Sequence, residues 1–333
     1  MLRRDRERAA LLARLPEFDR LVLLGDTLEL RSGPVRDALA AGAPVLAEIA
    51  AALGARGDVV VVPGNHDHAL LRGWIERRDP SVELGLESAV DPDPREPLGA
   101  LAAALSPARV RVAYPGVWLR EDVYAIHGHY GDRHNTVPIL ERLGAGLTVR
   151  VAGEPAGGPA RAEDYEAALA PMYAWADTVA QSGGLHIGGG GSFQIAAWQR
   201  LNGGAGARRS VRSRAMALGL TAAVAGLNRA GVGPLRADVS GVALRRGALA
   251  GFSESLARLG VPAAHVIFGH THRAGPLPGD DRSEWGRLVN VGSWVYESGF
   301  VGDDPARSPY RPGFAAIVGS DGPPELVNLL DPV

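Results

Sequence analysis

The apolar positions along the chain fall into short compact runs and longer stretches with helical spacing. Arg6 to Leu15 sets Leu11, Leu12 and Leu15 on one face with charges opposite, which predicts a helix that Pro16 ends. Arg20 to Leu24 predicts a buried strand, Val35 to Leu53 an amphipathic helix closed by Gly54, and Asp58 to Val62 a second strand. Strand, helix, strand at this spacing predicts a parallel βαβ unit. Ala69 to Arg77 reads as a short helix, and Asp79 to Pro97, rich in Pro and Asp, as a loop. Arg109 to Ala113, Val117 to Arg120 and Val123 to Ile126 alternate like strands, and His265 to Phe268 is a further apolar run. Trp285 to Val291, Phe314 to Val318 and Glu325 to Leu330 are expected to complete a second sheet.

Between these blocks the pattern changes. Helical spacing dominates Thr136 to Leu147, Ala162 to Ala180, Ser192 to Leu201, Ser210 to Ala230 and Ala248 to Leu259. Glycine-rich connections lie at Gly153 to Pro159, Gly183 to Gly191 and Asn202 to Gly206. The expectation is one α/β domain over 1–333 that carries a mainly helical insertion over 136–260. Gly188 to Gly191 reads as a linker, because a glycine run cradles phosphate only where it joins a strand to a helix. Met172, Tyr173, Trp175, Trp198 and Met216 either pack the inserted helices together or line an apolar cleft for a hydrophobic substrate group. His186 stands alone and is not expected to be a ligand.

Composition narrows the class. The 333 residues are 46% hydrophobic and 22% charged, an ordinary globular balance with enough chain for a large core. A formal net charge of −2 gives no general attraction to nucleic acid. The basic residues are all arginine, and the absence of cysteine excludes disulfides and thiolate metal sites. Ala215 to Leu227 is shorter than the roughly 20 residues that cross a bilayer. The amino terminus is too charged for a signal-peptide core, so the cytoplasm is the expected compartment.

The chemistry sits where the apolar runs stop. Leu24 leads into Gly25-Asp26, Val62 into Pro63-Gly64-Asn65-His66-Asp67, Ile126 into His127-Gly128-His129, and Phe268 into Gly269-His270-Thr271-His272. In α/β sheets, ligands gather beyond the ends of strands, so these clusters point to one shared metal site. A carboxylate such as Asp26 can bridge two cations, Asn65 offers a carbonyl oxygen, and His127, His270 and His272 offer imidazole nitrogens. This mixed set suits manganese, iron, zinc or cobalt and does not choose among them. An extended backbone over His270-Thr271-His272 would send both rings to one side. His66 is placed to protonate a leaving oxygen, with Asp67 orienting its ring. Glu29, His129, Asp132, Arg133, His134 and Arg273 are candidates for supporting or substrate contacts. For Arg133 the role would be a bidentate grip on phosphate, and for Asn135 the bland alternative is a helix cap. His68 either touches substrate or begins a helix.

The order GD-x-x-E, GNHD, HGH, GHTH resembles the calcineurin-like metallophosphoesterase family. Gly25 to Glu29, Gly64 to Asp67, His127 to His129 and Gly269 to His272 carry the likeness, and Asn290-Val291-Gly292-Ser293 resembles the turn that follows the last histidines there. The resemblance implies a four-layer α/β/β/α sandwich of two mixed sheets and a dinuclear metal centre. In it Asp26 bridges, Asn65, His127 and His270 serve one metal, His272 serves the other, and His66 is the catalytic histidine. The implied reaction is hydrolysis of a phosphomono-, phosphodi- or pyrophosphoester of a phosphorylated small molecule or lipid-linked substrate. One alternative is a nucleotide-sugar or lipid pyrophosphatase resembling UDP-2,3-diacylglucosamine hydrolase. Another is a non-catalytic binding protein on a degenerate phosphoesterase fold. The family's opening D-x-H block, at the end of its first strand, has no counterpart before Asp26. Either the start falls after that strand, which is the expectation, or the second metal site is incomplete.

Overall fold

The computed structural model describes residues 2–181, 211–296, 298–302 and 304–331. Its strands are β1 (Arg20–Leu24), β2 (Asp58–Val62), β3 (Glu87–Val90), β4 (Arg109–Arg120), β5 (Val123–Ile126), β6 (His265–Phe268), β7 (Ala274–Gly275), β8 (Leu288–Val291), β9 (Phe314–Ile317) and β10 (Glu325–Asn328). The fold is mixed α/β. One large sheet runs β1-β2-β4-β5-β6-β8-β7, with β3 also paired to β4, and β9 and β10 form a small antiparallel sheet of their own. β8 therefore belongs to the large sheet, not to a second one shared with β9 and β10.

The alternation over Arg109–Ala113 and Val117–Arg120 belongs to one strand, β4. Its first part runs parallel to β2 and its last part antiparallel to β5, with a register shift between Trp118 and Arg120. The sheet curls at this strand. Val60 and Val62 of β2, Ala113 and Val117 of β4, Val123 and Ala125 of β5, and Ile267 of β6 then share one core cluster. Val59 to Val62 are each at most 1% exposed, which accounts for an unbroken valine run without polar alternation. The helix Val35–Leu53 buries Leu46, Ile49 and Ala50, and Gly54 closes it through an N–H to the Ala50 carbonyl.

Register sets the strand ends. Leu24 lies beside Val62, Ala125 beside Ile267, and Phe268 beside Asn290, all in parallel pairs. The loops that follow β1 and β2 thus leave together, as do those that follow β6 and β8.

Two compact units are present. The first takes in Met1–Gly128 and Pro262–Val333 with the end of the helix Ala162–Gln181; the second begins at His129 and extends to Val261. Among its described residues the second unit is helical, with Leu140–Ala152, most of Ala162–Gln181, Val211–Arg229 and Gly241–Arg258. Among the described residues no helix is long and apolar enough to cross a membrane.

Several boundaries differ from the pattern, each for a physical reason. The stretch read as a loop over 79–97 holds β3, whose Glu87 accepts the Trp118 N–H at 2.7 Å and an Arg111 hydrogen bond at 2.5 Å. That pairing is long-range and leaves no local apolar signal. The helix expected from Thr136 starts at Leu140, because Pro138 disfavours helix before it. Asn135 caps a turn there, accepting the Val137 N–H at 3.0 Å, and does not cap the helix. Trp285 ends a single helical turn from Arg282, and Gly286 at φ +54° breaks it before β8. The expected helix at Ser192 to Leu201, the glycine stretches at Gly183–Gly191 and Asn202–Gly206, His186, Trp198 and the Met216 side chain lie outside the described residues. Of the remaining aromatic pair, Tyr173 is buried and Trp175 is 56% exposed.

The helix read from Ala248 begins at Gly241, capped by Ser240, whose hydroxyl accepts the Ala243 N–H at 3.2 Å. Gly247 and Gly251 disguise its first turns. They are close-packing positions: a Cβ would lie 2.8 Å from Asn135 Oδ1 at Gly247 and 2.6 Å from the Gly131 carbonyl at Gly251. Gly219, inside Val211–Arg229, has nothing within 4 Å of such a Cβ. Gly251→Ala is therefore expected to destabilise by about 1–3 kcal/mol through overpacking, and Gly219→Ala to stabilise by about 0.5–1 kcal/mol through helix propensity. Urea unfolding of the two variants checks this, and effects of equal sign would contradict the packing described.

Candidate metal centre

Asp26 is built first, by the loop after β1. Asp67, fully buried, accepts the N–H groups of Gly64 at 2.6 Å, Asp26 at 3.2 Å, Thr27 at 2.8 Å and Leu28 at 3.4 Å. One carboxylate thus gathers three successive amides of the Asp26 loop and ties them to the next loop. The cost is visible at Asp26, a non-glycine residue at φ +51°. Such strain is worth on the order of 1–3 kcal/mol, and a single hydrogen bond to a charged group offsets about 1.5–3 kcal/mol. The clamp therefore outweighs the strain. This corrects the role expected of Asp67, since its oxygens hold the Asp26 loop and not the His66 ring. The charge of Asp26, added to burial, pushes the Asp67 carboxyl up.

Asp26 aims its carboxylate inward. Oδ1 accepts the His66 N–H at 2.8 Å and Oδ2 lies 3.2 Å from His127 Nε2. Burial works against its charge, but His127 and His66 outweigh burial and hold the carboxyl well below its ordinary range. Glycines make the approach possible. A Cβ on Gly25, at φ +83°, would collide with the His127 ring, and one on Gly64 would lie 2.5 Å from Asp26 Oδ1.

His127 is held from both ends. Its Nδ1 lies 3.0 Å from the Leu24 carbonyl, an acceptor only, so that nitrogen carries the proton. The other ring nitrogen, Nε2, faces Asn65 Oδ1 at 3.0 Å and Asp26 Oδ2 at 3.2 Å. His270 Nδ1 faces the same Asn65 oxygen at 3.1 Å. Asn65 is 2% exposed and His127 is 2% exposed, so water does not separate these atoms in bulk. Carboxylate and amide oxygens and two ring nitrogens thus come together here.

The turn that carries His270 and His272 is not extended, contrary to the expectation from the His-x-His spacing. His270 sits at φ +63° and His272 at φ +59°, and the Thr271 N–H reaches the Gly269 carbonyl at 2.6 Å. The bend still brings the His270 ring to Asn65 and leaves the His272 ring within electrostatic reach of Asp26. Burial pushes the His272 ring down to about 4, with Asp26 opposing this and His270, His66 and His127 adding to it. Among the described residues, the non-glycine positions with positive φ are Asp26, His270 and His272. Strain gathered on three proposed ligands and nowhere else described is what a built functional site shows.

Glu29, not Asp67, orients His66. Its Oε2 lies 2.7 Å from His66 Nδ1 while Oε1 accepts the Arg31 N–H at 2.8 Å. Burial disfavours a charged His66 ring, but the Glu29 bond and the Asp26 carboxylate outweigh it and raise His66 above its ordinary value. The His66 side chain keeps 30% of its surface open, so it can be reached from solvent. Sequence reasoning missed Arg31, which is buried at 9% exposure beside this pair. It also missed the inward placement of Asn290 described below. A buried arginine and an asparagine at a strand end carry no periodic signal.

The other candidates are engaged elsewhere. Arg273 makes a bidentate bridge to Asp280, at 2.6 and 3.1 Å, and stacks over Trp285, so its guanidinium secures the loop. In the second unit, Arg133 is bonded through both ends of its fork to Glu154, which occupies the geometry expected to grip phosphate. His129 is buried edge-on against Tyr130 and Tyr173, Asp132 is buried in the turn His129–Arg133, and His134 Nε2 pairs with the Tyr165 hydroxyl at 2.8 Å. His68 is buried against Tyr114 in the first unit. A hollow of about 540 Å³ lined by Glu87, Arg111 and Trp118 includes none of the clustered residues.

Among the described residues, no three His, Asp or Glu side chains by themselves form a metal-holding group. The convergence runs instead through the amide oxygen of Asn65. Asp26 Oδ2, His127 Nε2, Asn65 Oδ1 and His270 Nδ1 follow one another at 3.2, 3.0 and 3.1 Å, each close to the ~3 Å edge of an octahedron with metal–ligand bonds of about 2.1 Å. The residues present therefore fit one divalent cation. No family model, curated protein or solved structure matches the chain.

His134 supplies a separate check on the second unit. Burial, then the guanidinium groups of Arg133, Arg258 and Arg142, push its ring down to about 4. The folded state thus favours the neutral ring relative to an unfolded value near 6.5. Its contribution is complete above about pH 6.5 and is lost as pH falls toward 4. Thermal melting at pH 7.5 and 4.5 is expected to show a larger acid-induced fall for wild type than for His134→Gln. Equal falls would contradict the assignment.

Proposed function

We propose that the chain is a divalent-metal-dependent phosphoesterase of the calcineurin-like metallophosphoesterase type, built on that family's four-layer sandwich. The observation that carries this reading is the close succession of Asp26 Oδ2, His127 Nε2, Asn65 Oδ1 and His270 Nδ1, each 3.0 to 3.2 Å from the next. These four would hold one cation, and His272 would contribute to a second, which the D-x-H block completes in the resembling family. Manganese, iron, zinc or cobalt suits the donor set. A bound cation supplies Lewis acidity toward a phosphoryl oxygen and lowers the pKa of a water.

The chain's own groups do the rest. Leu24 fixes the tautomer that leaves His127 Nε2 as a donor lone pair. Asp67 holds the Asp26 loop in its strained shape. Glu29 accepts from His66 Nδ1 and so leaves Nε2 as the atom that moves a proton. A raised His66 pKa keeps that proton available near neutral pH, which suits protonation of a departing alkoxide or phosphate. The substrate is a phosphomono-, phosphodi- or pyrophosphoester. The second reading is a nucleotide-sugar or lipid pyrophosphatase, for which the run Gly25 to Glu29, the run Gly269 to Arg273 and the helical insertion are the support.

With bis(p-nitrophenyl) phosphate and manganese, His66→Gln is expected to keep metal binding and to lose about 10²–10⁴-fold in kcat. Asp26→Ala is expected to lose both metal and turnover. Full turnover in Asp26→Ala would contradict the site. Metal binding without hydrolysis in the wild type would favour a binding protein.

A further inference from the structure

The turn Gly269–Arg273 joins β6 to β7, yet β8 lies between those two strands in the sheet. The chain therefore steps over β8, and the β8 residue beneath the step is Asn290. Its backbone is fixed on both sides, in register with Phe268 of β6 and Gly275 of β7. Its side chain is 1% exposed and fully used. Nδ2 donates to the Gly269 carbonyl at 3.1 Å and to Thr271 Oγ1 at 2.7 Å, and Oδ1 accepts the Gly292 N–H at 2.8 Å.

This pins Thr271, the residue between the two strained histidines. With its hydroxyl drawn to Asn290, the turn at φ +63° and +59° is held in place on either side of it. Without that tether, His270 and His272 would relax toward negative φ, and the rings would swing away from Asn65 and Asp26. We infer that Asn290, acting through the Thr271 hydroxyl, is the positioning residue that sets the metal-binding geometry of His270 and His272. The inference rests on the metal-centre reading above and goes beyond it by naming what builds half of the site.

The test is calorimetric titration of the full chain with Mn²⁺, alongside thermal melting without metal. Asn290→Ala is expected to weaken Mn²⁺ binding about 10–100-fold, as loss of a group that orients ligands does. Thr271→Val, which keeps the side-chain volume, is expected to weaken it in the same direction, and Thr271→Ser, which keeps the hydroxyl, to bind like wild type. Should Asn290→Ala fail to fold, the Thr271 pair decides alone. Folded Asn290→Ala and Thr271→Val proteins that bind Mn²⁺ as tightly as wild type would overturn the positioning role and leave the metal reading standing. A wild type that binds no Mn²⁺ would overturn the metal reading, and the inference with it.

Discussion

The hydrogen bond between His127 Nδ1 and the Leu24 carbonyl links the end of β1 to the end of β5 and determines the chemistry of everything near it. A carbonyl accepts and cannot donate, so Nδ1 carries a proton and Nε2 is the nitrogen left to face two oxygens, at Asn65 and Asp26. Gly25 is part of the same constraint, because a side chain there would occupy the space of the ring. The curl of the sheet through β4 is what brings the two strand ends close enough for the bond to form.

Around this bond the structure spends strain and then offsets it. Asp26 is held by the Asp67 carboxylate, and His270 and His272 are held from below by Asn290. In each case a buried polar side chain, from the loop after β2 or from β8, gathers the amides or hydroxyl of a loop that carries a proposed ligand. Both anchors are fully hydrogen-bonded, which is what makes them rigid; a half-satisfied group in the same place would destabilise the fold. His66 stands apart from this pattern. It sits on the more open side, bonded to a partly exposed Glu29, where it can be reached from solvent.

How much of this was legible in the sequence depends on whether the signal was local. β1, β2, β5 and β6 are compact apolar runs, and their limits are found where the pattern put them. The helix Val35–Leu53 is likewise a local signal. β3 was invisible, because Glu87–Val90 is a strand only by virtue of its pairing with β4. The turns from Gly241 through Gly247 were left out of the expected helix because close packing of Gly247 on Asn135 cannot be seen from one chain segment. The clustered polar residues at the ends of β1, β2, β5 and β6 were readable, whereas their mechanical support was not. Glu29 takes the role that adjacency suggested for Asp67, since the residue next to His66 in sequence points its side chain back into the Asp26 loop. The bend at His270–His272 was also hidden: His-x-His describes spacing, and backbone sign is set by Asn290 from 19 residues away.

The account stands on one claim, that Asp26, Asn65, His127 and His270 surround a divalent cation. The most direct measurement is an anomalous difference map, collected at the manganese edge from crystals grown with Mn²⁺. The account predicts a peak about 2.0–2.3 Å from Asp26, Asn65, His127 Nε2 and His270 Nδ1, whether or not a second peak stands beside His272. Ordered density for all four side chains with no peak between them would contradict it.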